Sequence, residues 1–298
     1  SLMDFSGATG SGDQNSSTAP NDAIPFIDNT YFDMEYASTG TRFIDAQYIT
    51  STLYVDKIFD DNTDASVGQE GFFGVNFADG RIKGYPTTNN PGSAGWNLRL
   101  VRGTESFENN FTDNNDGTIT DVATGLMWME DDSGTYSGVA GSQGDGSLDW
   151  VEALDWCETL TYASYDDWRL PNAKEMQSLV DYSRSPDTTG SAAIDPLFTT
   201  STFLDPDGSN INYPYYWTST THVEGDATKS VYIAFGEAQG RFNMNTQSSG
   251  PSETLLDVHG AGAQRSDPKI SGGGSYPDFQ GAQGDVRYVY NFARCVRN

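Results

Sequence analysis

Residues 168–183 read WRLPNAKEMQSLVDYS, a stretch that contains a helix-start pattern and a short segment with a similar counterpart elsewhere in the chain. Asn172 stands three positions before Glu175, which is the capping-box pattern of a helix N-terminus. The last six letters, SLVDYS (178–183), resemble SLMDFS at residues 1–6. This stretch therefore predicts a helix that begins near Asn172 and a second, related unit at the start of the chain.

Further pairs of similar words follow in the same order along the chain. They are FIDNTYF (26–32) with AIDPLF (193–198), YITST (48–52) with YWTST (216–220), GVNFADGRI (74–82) with YIAFGEAQGRF (232–242), and NLRLVRG (97–103) with FARCVRN (292–298). Ordered self-similarity of this kind is the signature of a duplicated structural unit. We therefore predict a tandem repeat, in which residues 1–103 are an N-terminally shortened unit and residues 104–298 are a complete one.

The composition argues against some classes of function. The 298-residue chain carries 42 acidic and 16 basic residues, a formal net charge of −26. Such a surface repels phosphate and sulfate polymers, so nucleic acid is not an expected partner. No run approaches the ~20 apolar residues of a membrane span, so no transmembrane segment is expected. An aromatic content of 13% indicates a folded protein.

Two further local patterns indicate secondary structure in the second unit. Residues 109–130 contain an Asp-Gly turn signal at 116–117, and the residues after it favour an extended backbone. This pattern predicts a β-hairpin. Asp149 and Glu152 form another capping box, and apolar residues recur after it at helical spacing. We therefore predict a first helix over residues 150–160.

The only two cysteines are Cys157 and Cys295. Such a pair can form a disulfide, hold a metal or remain as unrelated thiols. Cys157 lies on the apolar stripe of the first predicted helix, and Cys295 lies in the alternating strand YVYNFARCVRN (288–298). These apolar settings suit a disulfide between the helix and the last strand, which would stabilise the fold by about 4–5 kcal/mol on the chain-entropy model.

Five motifs together resemble a family of bacterial exported domains that includes the C-terminal domain of the Legionella collagen-like adhesin. The motifs are DNNDGTITDVATGLMW (113–128), WVEALDWCETL (150–160), DDWRLPNAKEMQSLVDYS (166–183), YYWTST (215–220) and FARCVRN (292–298). The resemblance covers essentially all of 104–298. Residues 1–103 resemble the C-terminal half of the same domain.

The resemblance implies an α+β fold of the C-type lectin-like superfamily, with two helices against a twisted antiparallel sheet and long loops. It implies that Cys157 and Cys295 are the family's disulfide pair. For the adhesin it implies surface attachment and binding of glycans, notably sulfated ones. Because sulfated chains require clustered Lys and Arg and this chain is acidic, we carry over the fold and the exported location but not the sulfated ligand.

The Gly- and Ser-rich segment 243–287 predicts a long surface loop that belongs to the complete unit only. Loops of this length are usually functional or disordered. The segment carries amide, ring and guanidinium groups of the kind that bind neutral sugars or a protein partner. The candidate ligand-binding residues are Asn243, Asn245, Gln247, His259, Gln264, Arg265, Tyr276 and Phe279.

Calcium is a candidate cofactor because the hairpin turn offers hard oxygen ligands. The stretch DNNDG (113–117) resembles the opening of a calcium loop but lacks the bidentate glutamate of an EF-hand, so a plain turn is the alternative. The candidate metal ligands are Asp113, Asn115, Asp116 and Asp121.

The most distinctive motif residues are expected to serve structure rather than chemistry. Two tryptophans are expected to fill the core, and the arginine to pair with a carboxylate or with backbone carbonyls. These residues are Trp168, Arg169, Leu170, Pro171, Asn172, Glu175 and Trp217.

No catalytic residue is predicted. The only histidines, His222 and His259, lack the spacing of a zinc site. The RLP…E pattern at 169–175 resembles the formylglycine-generating enzymes of the same superfamily. Those enzymes need redox-active cysteines, whereas both cysteines here stand at the disulfide positions that the resemblance implies.

We therefore expect a non-enzymatic protein that is secreted, periplasmic or on the outer surface of a bacterium. Its expected role is adhesion, through recognition of a glycan or of a host or cell-surface protein. The alternative is a structural or protein-interaction module of a larger surface adhesin, which acts as a spacer or an oligomer contact. A formylglycine-generating-enzyme-like oxidase is the least favoured hypothesis.

Overall fold

The computed structural model describes residues 2–38, 42–60, 68–88, 95–103, 108–139 and 141–298. These ranges form mostly β-structure with three short helices, which is consistent with an α+β fold of twisted antiparallel sheets. The strands before the first helix are β1 (Gln47–Ile58), β2 (Gln69–Asn76), β3 (Arg81–Pro86), β4 (Phe111–Asp113), β5 (Thr118–Asp121) and β6 (Leu126–Met129). The helices are α1 (Trp150–Thr159), α2 (Ala173–Ser178) and α3 (Pro186–Thr189).

The remaining strands follow the helices and are short except for two of them. They are β7 (Phe203–Leu204), β8 (Ile211–Asn212), β9 (Tyr215–Glu224), β10 (Asp226–Ala234), β11 (Gln239–Asn243), β12 (Ser248–Ser249), β13 (Leu255–Asp257), β14 (Gln264–Pro268), β15 (Asp278–Gln280), β16 (Asp285–Arg287) and β17 (Val296–Arg297). Within the described ranges, every helix is too short and too polar to cross a membrane.

Both predicted helices form, and each begins at its predicted capping box. The Asp149 carboxylate accepts the backbone N–H of Glu152 at 2.9 Å, and the Glu152 carboxylate accepts the N–H of Asp149 at 2.9 Å. Asn172 and Glu175 make the same reciprocal pair at 3.0 and 2.8 Å. Each box satisfies amides that a helix N-terminus otherwise leaves unpaired.

The predicted hairpin of 109–130 is a three-stranded meander, β4-β5-β6, and β17 extends it to four strands. Gly117 adopts a φ of 87° in the first turn, a left-handed conformation that glycine takes without a steric penalty. Cys157 of α1 and Cys295, next to β17, form the predicted disulfide, with an Sγ–Sγ distance of 2.07 Å. The disulfide is thus confirmed, and it ties the first helix to the end of the chain.

A six-stranded sheet with the order β1-β2-β3-β14-β10-β9 joins the two predicted units. Its first three strands come from residues 1–103 and the other three from 104–298. The two halves meet where Gln264 of β14 pairs with Ile82 of β3. The predicted boundary itself lies beside residues 104–107, which fall outside the described residues, as does Ser1 at the start of the first repeat word. We refer to 2–103 and 108–298 as the first and the later portion.

The two portions also share a hydrophobic core. Phe73 and Ile58 of the first portion pack in one cluster with Leu256, Val258 and Ala261 of the later portion. All five are buried. The core therefore does not divide at the predicted boundary.

Two pairs of neighbouring strands, β1 with β2 and β9 with β10, have the same register at the positions that the similar sequence segments align. In β1 and β2, Tyr48 lies opposite Val75. In β9 and β10, the aligned Tyr216 lies opposite Ile233. The same pairing of a tyrosine with an aliphatic residue thus occurs twice, although β1 and β9 lie at opposite edges of the six-stranded sheet.

The prediction that 243–287 is a surface loop is wrong for its middle part. Residues 255–268 include β13 and β14 and are largely buried. The physical reason is that β14 occupies the position between β3 and β10, where its backbone pairs with strands of both portions. Gly262 supports this path at a φ of 103°, a conformation that other residues rarely adopt.

Candidate functional site

A cavity of about 880 Å3 lies where β3 and β14 meet, and residues of both portions line it. We call it the junction cleft. Its volume falls within the range of about 300–1,000 Å3 that is typical of ligand pockets. The lining residues on which its chemistry depends are Arg81, Lys83, Tyr85, Trp96, Glu224, Lys229, Tyr232, Arg265, Gln283 and Asp285.

Strand β3 supplies three of these side chains because successive residues of a strand point to opposite faces. Arg81, Lys83 and Tyr85 line the cleft. Ile82, between the first two, points the other way and is buried in the shared core. The sequence RIKGYP (81–86) thus places two cations and a ring on one face.

The opposite wall comes from β10 and β14 of the later portion. Tyr232 and Arg265 lie directly opposite each other in these strands, and both line the cleft. Opposite residues of an antiparallel pair share a face of the sheet, so the ring and the guanidinium lie side by side.

Ion pairs hold the cations at one end of the cleft in place. The Arg81 guanidinium donates to Asp79 at 3.3 Å and to Glu224 at 2.8 Å, and the Lys229 ammonium donates to Glu224 at 2.7 Å. Burial raises the pKa of the Glu224 carboxyl, but the charges of Arg81 and Lys229 outweigh it and hold that pKa well below its usual range. Glu224 is therefore ionised at neutral pH.

A second ion-paired group lies around Asp285. Arg265 and His259 both donate to this carboxylate, His259 from Nε2 at 2.7 Å. Burial and the charge of Arg265 lower the pKa of His259 to about 3, so its imidazole is neutral at pH 7. Although burial opposes it, the charge of Arg265 holds the pKa of Asp285 well below its usual range.

Lys83 differs from the other basic residues because its described polar contact is with an amide. Its ammonium donates to Gln283 Oε1 at 3.3 Å and lies 5.2 Å from the ring centre of Tyr85. Burial and the charge of Arg265 lower the pKa of Lys83 to about 7. Near neutral pH this amine exists in both protonation states, so it can donate a hydrogen bond or accept one from a ligand hydroxyl.

The aromatic part of the cleft is held by ring contacts. The Trp96 ring packs edge to face on Tyr85 with centroids 4.7 Å apart, and on Phe72 with centroids 4.9 Å apart. Such contacts fix ring orientation without a hydrogen bond. The cleft therefore combines rigid rings, amides and cations that carboxylates hold in place.

Of the eight predicted ligand-binding residues, two line the junction cleft. They are Gln247 and Arg265. Two others, His259 and Gln264, are buried behind it instead of being presented on a surface. Gln264 Nε2 donates to the carbonyl of Gly80 at 2.9 Å, so its polar group holds the two portions together.

The other four predicted ligand-binding residues do not line the cleft. The side chain of Asn243, the last residue of β11, accepts the backbone N–H of Asn245 in the turn that follows at 3.0 Å. Phe279 lies beneath the Arg241 guanidinium, 4.9 Å from its carbon to the ring centre. Tyr276 lines a separate cavity of about 250 Å3.

The histidine His222 is also buried and neutral. Its Nε2 lies 2.8 Å from the carbonyl oxygen of Asp79 and its Nδ1 lies 2.8 Å from Ser266 Oγ. Burial and the charge of Arg81 lower its pKa to about 3. Both histidines are thus held in hydrogen bonds beneath the cleft.

The predicted calcium ligands make contacts that stabilise turns. Asp113 Oδ1 accepts the N–H of Asn115 at 2.7 Å, and Asp116 Oδ1 accepts the N–H of Thr118 at 3.1 Å. Asp121 is buried and accepts three hydrogen bonds from its neighbours. Calcium binding by these residues stays a prediction.

The motif residues lie in the core or at the start of α2. Trp168 and Trp217 are 2% and 0% exposed, and the Trp217 ring N–H donates to the carbonyl of Leu148 at 2.9 Å. Arg169 forms two hydrogen bonds of 2.8 Å with Glu175. Leu170 and Pro171 are buried, and Asn172 caps the helix.

Sequence reasoning missed the first portion's share of the cleft. The missed residues are Arg81, Lys83, Tyr85 and Trp96. A signal was present, because RIKGYP (81–86) alternates polar or aromatic residues with small or apolar ones. What the alternation does not give is the partner strand, β14, which lies about 180 positions later in the chain.

Comparison with known proteins relates part of the chain to one family. Residues 117–251 match the family model of the Lcl C-terminal domain, so this segment is related to the C-terminal domain of the Legionella collagen-like protein. No curated protein and no solved structure matches the chain. The matched segment is a surface adhesin-related domain, and together with the disulfide it indicates an exported or extracellular protein.

Proposed function

We propose that this chain is a non-enzymatic, exported surface protein that binds a glycan in the junction cleft. The observation that carries the proposal is the cleft of about 880 Å3, with its aromatic rings, amides and ion-paired cations. Ligand sites typically combine such rings with a few polar groups that fix orientation. The relation of 117–251 to the Lcl C-terminal domain supports a role in adhesion.

The charges of the cleft favour a neutral glycan over a sulfated one. Its basic lining residues are Arg42, Arg81, Lys83, Lys229, Arg265 and Arg287. They are matched by as many acidic ones, namely Asp13, Asp45, Asp79, Glu224, Asp267 and Asp285. The cleft is thus balanced in a chain of net charge −26, and each of its cations except Lys83 already has a carboxylate partner. A polyanion would have to displace these partners, whereas sugar hydroxyls can bond to both signs.

We assign specific roles to three residues in this proposal. The half-buried ring of Trp96 would pack against the apolar face of a sugar ring, and Lys83 would bond to the sugar hydroxyls. The buried Tyr85 would hold the Trp96 ring in position. All three belong to the first portion, while Arg265 and Gln283 across the cleft belong to the later one. Binding would therefore need both portions.

The proposal also includes a C-type lectin-like scaffold that is used twice along the chain. The equal register of Tyr48 with Val75 and of Tyr216 with Ile233 supports a common origin of the two portions. The predicted helices and the disulfide of the later portion agree with the fold that the family resemblance implies.

A glycan array probed with the labelled full chain, followed by calorimetry on the best ligand, tests this function. We expect Lys83→Gln and Trp96→Ala to weaken binding by about tenfold or more, a loss of about 1.4 kcal/mol. The matched control is Lys174→Gln, which removes the same charge from an exposed position on α2 and should bind like the wild type.

Two outcomes would contradict the proposed function. One is an array without any signal, with and without calcium. The other is a ligand whose affinity responds equally to Lys83→Gln and Lys174→Gln. Melting curves of all variants separate a loss of binding from a loss of folding.

A second candidate function is a structural or protein-interaction module of a larger adhesin. The observation that favours it is that 255–268, in the middle of the predicted binding loop, is largely buried, with β14 paired to β3 of the first portion and to β10. A capture experiment with the full chain and size-exclusion chromatography would test it. Partner capture or self-association that persists in the Lys83→Gln and Trp96→Ala variants would support this candidate.

The disulfide supports the non-enzymatic part of the proposal. Cys157 and Cys295 are bonded to each other, and the sequence contains no further cysteine that could act as a redox-active thiol. Titration of the folded protein with a thiol reagent should find no reactive thiol. Detection of about one or two thiols would favour the oxidase hypothesis.

A further inference from the structure

A second group of acidic side chains lies outside the junction cleft, where β1 ends and α3 begins. Asp56, Asp60 and Asp187 each offer a carboxylate oxygen, and these oxygens lie within 4.8 Å of one another. Two oxygens on one Ca2+ ion, each about 2.3–2.6 Å from it, can be at most about 5 Å apart. The three carboxylates therefore lie close enough to share one ion.

A row of paired residues extends this group from Asp60, just after β1, to β13 and β11. Asp60 and Asp257 are bridge partners, and the Asp257 N–H donates to the Asp60 carbonyl at 2.9 Å. On its other side Asp257 lies opposite Gln239 of β11. Because directly opposite residues share a face, Gln239, Asp257 and Asp60 point to the same side.

Gln239 supplies an observation that is independent of the acidic cluster. Its side chain is 3% exposed, and within the described ranges its Oε1 accepts no hydrogen bond. A buried amide oxygen without a partner costs about 1–3 kcal/mol, so native proteins rarely leave one. An amide oxygen is also an ordinary ligand of Ca2+.

A hydrogen bond holds the Gln239 amide beside Glu237, which borders the aspartate cluster. Gln239 Nε2 donates to Glu237 Oε2 at 2.9 Å. The Glu237 carboxyl in turn interacts with the carboxyl of Asp187. The amide thus stands one residue away from the group that Asp56, Asp60 and Asp187 form.

The three carboxylates repel one another when they are ionised, because their oxygens lie within 4.8 Å of one another. A divalent cation would remove this repulsion.

We propose that Asp56, Asp60 and Asp187 bind one Ca2+ ion, with the Gln239 amide oxygen as a further ligand. Ca2+ takes six to eight oxygens in flexible geometry and accepts waters among them, and the exposed Asp187 leaves room for waters. This site is independent of the glycan proposal and of the predicted ligands in the hairpin turn.

The position of the site gives the ion a structural role. Asp56 and Asp60 belong to the first portion, whereas Asp187 belongs to α3 of the later one. The Ser185 hydroxyl already donates to Asp56 at 2.8 Å and so holds α3 against β1. A bound ion would strengthen this link and stabilise the joint between the portions.

Calorimetry and thermal melting of the chelator-stripped full chain, titrated with CaCl2, test the site. We expect binding of one ion per chain and a rise in melting temperature. Asp187→Asn should weaken binding by at least about tenfold. Without calcium it should melt no lower than the wild type, because it removes a repelling charge.

The matched control is Asp116→Asn, which alters the predicted turn site instead. It should bind calcium like the wild type. No heat and no shift in melting temperature at about 5 mM CaCl2, which exceeds the range of weak extracellular sites, would overturn the proposal. Wild-type calcium affinity in Asp187→Asn, or its loss in Asp116→Asn, would overturn it as well.

Discussion

The aligned arginines Arg99 and Arg294 have the same ring contacts but very different surroundings. The Arg294 guanidinium lies 5.3 Å from the ring centre of Tyr216, and that of Arg99 lies 5.6 Å from the ring centre of Tyr48. Arg294 is completely buried, whereas Arg99 is partly exposed. The contact between arginine and tyrosine thus occurs in both portions, but only the arginine of the later portion is covered by surrounding residues.

The next pair of aligned residues, Cys295 and Leu100, differs even more in solvent exposure. Cys295 is 0% exposed because α1 covers it and bonds to it, whereas the aligned Leu100 is 85% exposed. Segment 108–183, with its meander and two helices, therefore provides the cover of the later portion. The first portion relies instead on the joint between β3 and β14 and on the shared core.

The largest expected effect comes from the disulfide that only the later portion has. The double variant Cys157→Ser/Cys295→Ser should lower the free energy of unfolding by about 4 kcal/mol, since the bond closes a loop of 138 residues. Leu100→Ser, at the aligned position, should change it by less than about 0.5 kcal/mol. Urea denaturation measures both, and losses of similar size would contradict the comparison.

The two arginines themselves sharpen the comparison. Arg294→Met should cost about 3 kcal/mol, because it leaves buried carbonyls such as that of Met129, which Arg294 contacts at 2.9 Å, without their donor. It also removes the positive charge that lies 4.0 Å from the buried Asp132 carboxylate. Arg99→Met should cost about 1 kcal/mol, because its surroundings are partly solvated. If equilibrium unfolding gives equal losses, the covering segment does not have the role that we assign to it.

The smallest expected effect is a change of stability with pH that arises from Asp187, where the two portions meet. Because the pKa of Asp187 is raised to about 6, folded Asp187 holds a proton between about pH 4 and 6 that the unfolded chain releases. In EDTA, the wild type should therefore lose stability relative to Asp187→Asn as the pH rises through this range. The neighbouring groups Asp56, Asp60 and Glu237 are present in both proteins and largely cancel.

Melting temperatures of the two proteins at several pH values measure this difference. The change should be small because Asp187 is buried only in part, so solvent screens its charge. A difference that stays constant, or that changes in the opposite direction, would show that the carboxylates do not repel one another as the structure indicates.

The parts of the fold that sequence predicted are those that short-range chemistry decides. Each capping box lies within four residues, so Asp149 with Glu152 and Asn172 with Glu175 could be read directly from the chain. The disulfide followed from the family resemblance together with the apolar settings of its two cysteines.

The parts that sequence did not predict depend on contacts between distant residues. The pairing of Gln264 with Ile82 joins two strands, and the local sequence of neither strand indicates the other as its partner. Glycines around β14 resemble those of a surface loop, although here they serve close packing. The junction cleft and the cluster of Asp56, Asp60 and Asp187 both arise from such long-range pairing, so neither could be located in advance.

Amide hydrogen exchange of the full chain, with and without a glycan found on the array, tests most directly whether both portions form one binding site. We expect the glycan to slow exchange in two separate stretches, 81–86 of β3 and 264–268 of β14. Slower exchange in only one of them, or only around Tyr276 and Phe279, would contradict a site shared between the portions.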